Sequence, residues 1–208
     1  MSRFSLRAEN LHLWRGERQV LKGVSLSAHS GEVLQLTGAN GAGKTTLLRA
    51  LCGLAHLEEG RVLWDGHDVR QDRAGFHAAL AYLGHEAPLK PDLTAPENLR
   101  FWVGLRRPFT AVELATALAQ TAVAAFADRP VRTLSAGQKR RVALAGLLLM
   151  RAPLWLLDEP TTNLDAAGQA LVSRLVNAHA AAGNLVIAAV HQGLDVEAHR
   201  LNRLELAA

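Results

Sequence analysis

The sequence predicts an α/β domain organised on a largely parallel central sheet, and three observations point there. Gly38-Ala39-Asn40-Gly41-Ala42-Gly43-Lys44-Thr45 fits the pattern GxxxxGKT between a strand-like and a helix-like run. The apolar run Leu154-Trp155-Leu156-Leu157 ends in two carboxylates, Asp158 and Glu159. Strand-like and helix-like segments alternate along the chain, the arrangement that yields parallel strands covered by helices. At 208 residues, 49 % of them hydrophobic, the chain is long enough for one domain with a sizeable core.

Taken in order, Leu6 and Ala8, then Val24, Leu26 and Ala28, then Val33, Leu34 and Leu36 mark three strands leading into Gly38. A helix follows from Lys44, so the glycine loop lies between strand and helix as its phosphate chemistry requires. Arg61-Val62-Leu63-Trp64 reads as a short strand closed by the Asp65-Gly66 turn, and residues 79–83 as another strand. Between His85 and Arg132 the character becomes helical. Thr94 with Glu97 and Thr110 with Glu113 match the Thr-x-x-Glu capping box, so residues 85–134 are expected to form an inserted helical subdomain, with the core at about 1–84 and 135–208. A helix from Ser135, a strand at 154–157, a helix at about 165–182, and strands at 185–190 and 201–206 complete the chain. No internal repeat or low-complexity linker interrupts it.

Charge and cysteine content narrow the classes. Lys and Arg exceed Asp and Glu by 23 to 19, but Arg106 with Arg107, Arg132, and Arg140 with Arg141 are scattered rather than gathered in a stripe. They are read as solvated surface or as contacts to an anionic membrane or partner. Cys52, the single cysteine, excludes an intramolecular disulfide and reads as a small buried residue. The N-terminal segment has no long apolar stretch or cleavage site, which predicts a cytoplasmic chain. The apolar stretches at 142–150 and 185–190 fall short of the roughly 20 residues that span a bilayer, so any membrane role belongs to a separate subunit.

The motifs carry the chemistry. Lys44 is expected to neutralise the β and γ phosphates of a nucleotide and Thr45 to offer its hydroxyl to Mg²⁺; Gly41, Gly43 and Thr46 let backbone N–H groups reach phosphate oxygens. Asp158 should hold the same Mg²⁺, and Glu159 is placed to act as general base toward an attacking water. Ser135 and Gln138 form a capping box, and a capped, glycine-containing helix start also presents donors to an anion.

Leu134-Ser135-Ala136-Gly137-Gln138 followed by the Asp158-Glu159 strand resembles the ATP-binding cassette family over nearly the whole chain. The resemblance implies a cassette ATPase core, with an N-terminal antiparallel β portion beside the parallel sheet. It also implies a head-to-tail dimer holding ATP and Mg²⁺ between two copies, in which the Ser135, Ala136, Gly137 and Gln138 signature of one copy faces the γ-phosphate held by the other. Asn163-Leu164-Asp165 becomes the loop that crosses the dimer interface, and His191 the catalytic switch histidine that touches the γ-phosphate. Three positions depart from the family pattern. His85, followed by Glu86, stands at the glutamine that meets metal and water; Ala136 replaces the first signature glycine; and Arg15 precedes Gly16 where an adenine-stacking aromatic is usual, leaving stacking by Trp14, one position away, open.

Tyr82-Leu83-Gly84-His85, Leu93-Thr94-Ala95-Pro96-Glu97-Asn98-Leu99 and the Leu134–Arg141 signature most resemble the haem exporter ATP-binding subunits of bacterial cytochrome c maturation, the CcmA family. That likeness implies integral membrane partners of the CcmB and CcmC type and a peripheral position on the cytoplasmic side of the inner membrane; Leu99, Phe101, Trp102 and Leu105 read either as ordinary core packing or as part of a docking face for such partners. Hydrolysis would then drive haem export or release of a haem chaperone. The chain has no CxxCH and is not a haem-attachment target. The alternatives are a cassette subunit serving another cargo and a soluble cassette ATPase acting on nucleic acid or ribosomes. The second usually carries a coiled coil or a second cassette, and neither is present: Lys44 and Ser135 are only about ninety residues apart with no sustained heptads.

Overall fold

A computed structural model describes residues 4–191 and 193–206. β1 (Ser5–Arg15) and β2 (Arg18–His29) pair as an antiparallel hairpin whose tight connection uses Gly16 at φ 58°. β4 (Glu59–Trp64) pairs antiparallel with β1, and the short β5 (His67–Asp68) closes this sheet in the order β2-β1-β4-β5. The second sheet is wholly parallel, in the order β6-β7-β8-β3-β9. Its strands are β3 (Val33–Thr37), β6 (Leu80–Leu83), β7 (Leu154–Asp158), β8 (Leu185–Ala189) and β9 (Leu201–Glu205). The expected parallel sheet with an antiparallel N-terminal portion is therefore present.

Every residue of β7 and β8 is buried, which explains why both read as unbroken apolar runs: a strand covered on two faces has no polar side to alternate with. On one face, Leu34, Leu36, Leu154, Leu156 and Ile187 pack with α1 (Lys44–Leu51) and the antiparallel sheet. On the other, Val33, Trp155, Leu157 and Val186 pack with Ala143, Leu144 and Leu147 of α5 (Ala136–Met150) and with Leu171, Val172 and Leu175 of α6 (Ala166–Ala181). A third cluster joins Leu99 and Val103 around α3 (Ala95–Trp102) and Leu114 and Leu118 of α4 (Ala111–Gln120) to Val142, Ala145 and Leu149. α5 thus serves two cores and is apolar on most of its circumference.

Both capping boxes predicted within residues 85–134 form: Thr94 and Thr110 accept from the Glu97 and Glu113 backbone N–H groups at 3.4 and 3.2 Å, and each glutamate accepts in return. The strand expected at 79–83 begins one residue later, at Leu80, because α2 (Arg73–Ala79) occupies the segment before it. Asp72 caps that helix, accepting from Gly75 N–H at 2.9 Å, and Phe76 is its one buried residue, so no apolar period announced it. Of the four residues expected to form a docking face, Leu99 is fully buried and Trp102 packs against the third cluster, while Phe101 and Leu105 are exposed. Cys52 is buried, and burial pushes its thiol up to about 11.

The register places the chemistry. Ala189 pairs with Leu36 on one side and Asp158 on the other, so the ends of β3, β7 and β8 lie side by side. The loop from Gly38, the Asp158-Glu159 pair and His191 leave the sheet together, at the carboxyl edge where ligands of parallel sheets bind.

Candidate nucleotide site

The glycine loop needs its glycines. Gly38, Gly41 and Gly43 have φ of 135°, 82° and 97°, a region that side chains rarely adopt, and a Cβ on Gly38 would stand 2.5 Å from the Leu206 carbonyl oxygen. Gly43 caps α1 without a side chain, and no acidic residue occupies the first turn, so the helix N-terminus is left to an outside anion. Lys44 folds back across the loop and donates from Nζ to the carbonyls of Gly38 at 2.7 Å and Ala39 at 3.1 Å. The loop is curled around its own cation, which retains a third donor.

Thr45 Oγ1 donates to Asp158 Oδ1 at 3.0 Å. Asp158 is 2 % exposed, and its Oδ2 is buried without a hydrogen-bond partner. Burial, opposed by the Thr45 hydroxyl, holds the Asp158 carboxyl above the usual range, with the charge of Glu159 pushing the same way. A buried carboxylate oxygen without a partner, beside a hydroxyl and next to a phosphate loop, is a hard oxygen donor set that suits Mg²⁺ completed by water and phosphate oxygens.

Glu159 has φ 47°, left-handed backbone in a non-glycine residue, held by donation of its N–H to Ala189 at 3.0 Å. Its Oε1 lies 2.9 Å from His191 Nε2, and its Oε2 accepts from Thr162 Oγ1 at 3.1 Å. His85 Nδ1 is 3.8 Å from the same Oε2, and its charge also acts on Asp158, so this side chain stands beside both carboxylates. A cavity of about 490 Å³ is lined by Asn40, Gly41, Lys44, Thr45, Glu159 and His191, with Arg15, Arg18 and Val20 along its rim. Trp14 lies outside that lining. Leu11 and Leu13 of β1 face the core, which turns His12 and Trp14 to the opposite face, where their rings stack at 6.2 Å.

The signature does not join this cavity. Ser135 caps α5, accepting from Gln138 N–H at 3.2 Å, while its own N–H donates to Gln138 Oε1 at 2.9 Å. Ser135 and Ala136 are exposed, and a Cβ on Gly137 would approach the Asn163 carbonyl to 2.7 Å, so this helix start lies tight against the loop leading to Asp165. Asp165 caps α6, accepting from Gly168 N–H at 2.8 Å, and meets Arg141 at 3.4 Å. Within one chain the phosphate cavity and the exposed start of α5 are therefore separate features. Sequence reasoning missed Arg18, whose Nη2 reaches the Gly41 carbonyl at 3.4 Å, as well as Thr162 and Arg140; only Arg15, by replacing an expected aromatic, carried a signal.

Residues 21–162 match the family model described as ABC transporter. The chain belongs to the ABC transporter family. It is 48 % identical over 201 residues to the cytochrome c biogenesis ATP-binding export protein CcmA 2 of Salmonella paratyphi A, covering 97 % of this chain and 96 % of that one. A bacterial Atm1-family ABC exporter solved with ATP bound superposes with a TM-score of 0.84 at 27 % identity, over 98 % of this chain and 38 % of that longer chain. A nucleotide-free ATP-binding cassette from an ABC transporter shares the fold at a TM-score of 0.79 and 22 % identity, over 99 % and 90 %. The cassette architecture expected from the signature motif is the one observed. No described helix is long and apolar enough to cross a membrane.

Proposed function

We propose that this chain is the ATP-hydrolysing subunit of a haem-exporting ABC transporter in c-type cytochrome biogenesis. The observation that carries the reading is the split site: phosphate-binding and signature elements are both intact, yet the signature cap is exposed and absent from the lining of the phosphate cavity. A second copy, turned head to tail, supplies the missing half to each cavity. The likeness to CcmA over 97 % of the chain supports haem, or the haem chaperone, as what the assembly moves.

In this reading Lys44 and the α1 N-terminus bind the phosphates, and Thr45 and Asp158 hold Mg²⁺, which neutralises charge developing on them. Glu159 accepts a proton from water on its carboxylate, and Thr162 and His191 orient that carboxylate. Ser135 and Gly137 of the partner copy close the site and exclude solvent. Arg15 and Arg18 line the end expected to take the base. Residues 85–134 act as the helical subdomain that carries the closing motion to CcmB- and CcmC-type partners at the cytoplasmic face of the inner membrane. Leu54, Phe101 and Leu105, the last 78 % exposed, are apolar side chains open to such contacts.

Sedimentation of the Glu159→Gln variant with ATP and Mg²⁺ tests the sandwich. A dimer that falls back to monomer when the nucleotide is removed is the expected result. A monomer under saturating nucleotide, paired with a wild-type chain that hydrolyses ATP as a monomer, overturns it.

A further inference from the structure

We propose that Arg140 is a positioning residue that locks the signature helix to the catalytic end of β7 within one protomer. The proposal rests on the ATP-sandwich reading and adds to it a link between the two half-sites of a single chain. Arg140 lies in the second turn of α5, about 7 Å along the axis from the Ser135 cap. It is 5 % exposed.

A guanidinium carries five N–H donors and no acceptor. Here all five find backbone carbonyls. Nε donates to Pro160 at 3.2 Å; Nη1 donates to Gly84 at 2.7 Å and His85 at 3.4 Å; Nη2 donates to Asp158 and Glu159, each at 2.7 Å. These acceptors belong to two segments, the loop that leaves β6 and the turn that leaves β7. Burial lowers the Arg140 pKa to about 10, with the nearby carboxylates of Asp158 and Glu159 working against that fall, so the side chain stays charged at neutral pH. A buried cation persists only where its donors are satisfied, and here the whole fork is used on backbone rather than on one counter-ion.

Three of the carbonyls it holds belong to residues whose side chains meet at the site, His85, Asp158 and Glu159. Glu159 has its N–H held by Ala189 and its carbonyl by Arg140, so both flanking peptides are clamped at an unfavourable φ of 47°. His85, 3.8 Å from the Glu159 carboxylate, is held by the same guanidinium. Seating the Ser135 cap on the partner's nucleotide therefore bears on a rigid body that includes the protomer's own base. A displaced helix start displaces Glu159.

Arg140→Lys retains the charge but has three donors for five carbonyls, and Arg140→Gln removes the charge. For Arg140→Lys the expected result has two parts. The kcat for ATP falls on the order of tenfold to a hundredfold while the Kd for nucleotide stays within about twofold, because the lysine loop is untouched. In hydrogen exchange without nucleotide, amides at 84–86, 158–159 and 161–162 exchange at least about tenfold faster, while those of α1 keep their rates. Arg140→Gln gives the same pattern, more strongly, if it folds. Unchanged kcat and unchanged local exchange in Arg140→Lys overturn the proposal; so does a uniform rise in exchange with kcat and nucleotide affinity lost together, which is simple destabilisation. The exchange measurement uses no nucleotide, so its failure is distinct from failure of the ATPase reading.

Discussion

In the proposed mechanism, replacing Glu159 by Gln removes the base and little else. Oε2 accepts from Thr162 Oγ1 at 3.1 Å, a bond that the Gln amide oxygen keeps, and Oε1 faces His191 Nε2 at 2.9 Å, where the Gln amide can donate once the imidazole carries its hydrogen on Nδ1 instead of Nε2. Shape, strain and neighbours are retained, so stability should change by no more than about 1 kcal/mol. Loss of general-base catalysis, in contrast, lowers kcat by roughly a hundredfold to ten-thousandfold, or about 3–5 kcal/mol of transition-state stabilisation. Nucleotide affinity should hold within about twofold, because the Lys44 cradle is unaltered. Phosphate release at saturating ATP and Mg²⁺, read against a titration with a fluorescent nucleotide, separates the two effects. His191→Ala adds a second test: if His191 acts by orienting Glu159, the double variant loses no more than Glu159→Gln alone, whereas independent roles multiply. Turnover of Glu159→Gln within tenfold of the parent would refute the assignment of the base. So would a loss of affinity that accounts for the whole fall in rate.

Trp14→Ala should leave nucleotide affinity within about twofold, because the ring lies with His12 outside the cavity lining, while Arg15→Ala and Arg18→Ala each weaken binding by about 0.5–1 kcal/mol; equilibrium titration decides, and a larger loss from Trp14 counts against the geometry. Gly146→Ala is expected to destabilise despite the roughly 1 kcal/mol that alanine gains in a helix, because the new Cβ falls 2.1 Å from the rigid Trp102 ring and overpacking costs about 1–3 kcal/mol. Urea unfolding followed by far-UV circular dichroism measures the sign, and net stabilisation would show that the contact relaxes freely. His179, stacked on Trp155 at 3.7 Å, has its pKa lowered by burial from 6.5 to about 4. Between those values the unfolded chain binds a proton that the folded chain refuses. Stability from this group is therefore complete above pH 6.5 and falls as the pH drops toward 4, by at most about 3 kcal/mol. His179→Phe should flatten that part of the unfolding free energy against pH, and an unchanged slope between pH 7 and 5 would exclude His179 as its source.

What was legible in the sequence was what one short segment decides by itself. The GxxxxGKT loop, the Ser135 and Thr94 caps and the apolar run that opens β7 depend on neighbours a few residues away, and each formed where its pattern placed it. α2 was not legible, because seven residues with one buried side chain have no period to read. Nor was the place of Trp14: alternation with Leu11 and Leu13 turns it outward, but that Arg15 and Arg18 rather than Trp14 line the cavity depends on how the β1–β2 hairpin meets the phosphate loop.

Arg140 shows the deeper limit of sequence reading. Lys139, Arg140 and Arg141 look like one basic run on a helix, yet Arg141 meets Asp165 and Arg140 is sealed beneath Gly84 and Pro160. The difference is a helical turn of 100° per residue set against two loops more than fifty residues apart in the sequence, so it exists only once the sheet has assembled. The same reasoning applies one level higher, to the half-sites. The chain completes its phosphate cradle through local contacts and the sheet register, but the exposed Ser135 cap has no nucleotide to face within its own fold. A site completed only by a second copy makes ATP turnover depend on protomer concentration. The ATPase rate per protomer should therefore rise with dilution reversed, in proportion to the fraction of dimer, and a specific rate independent of concentration across the monomer-to-dimer range would mean that one chain is sufficient.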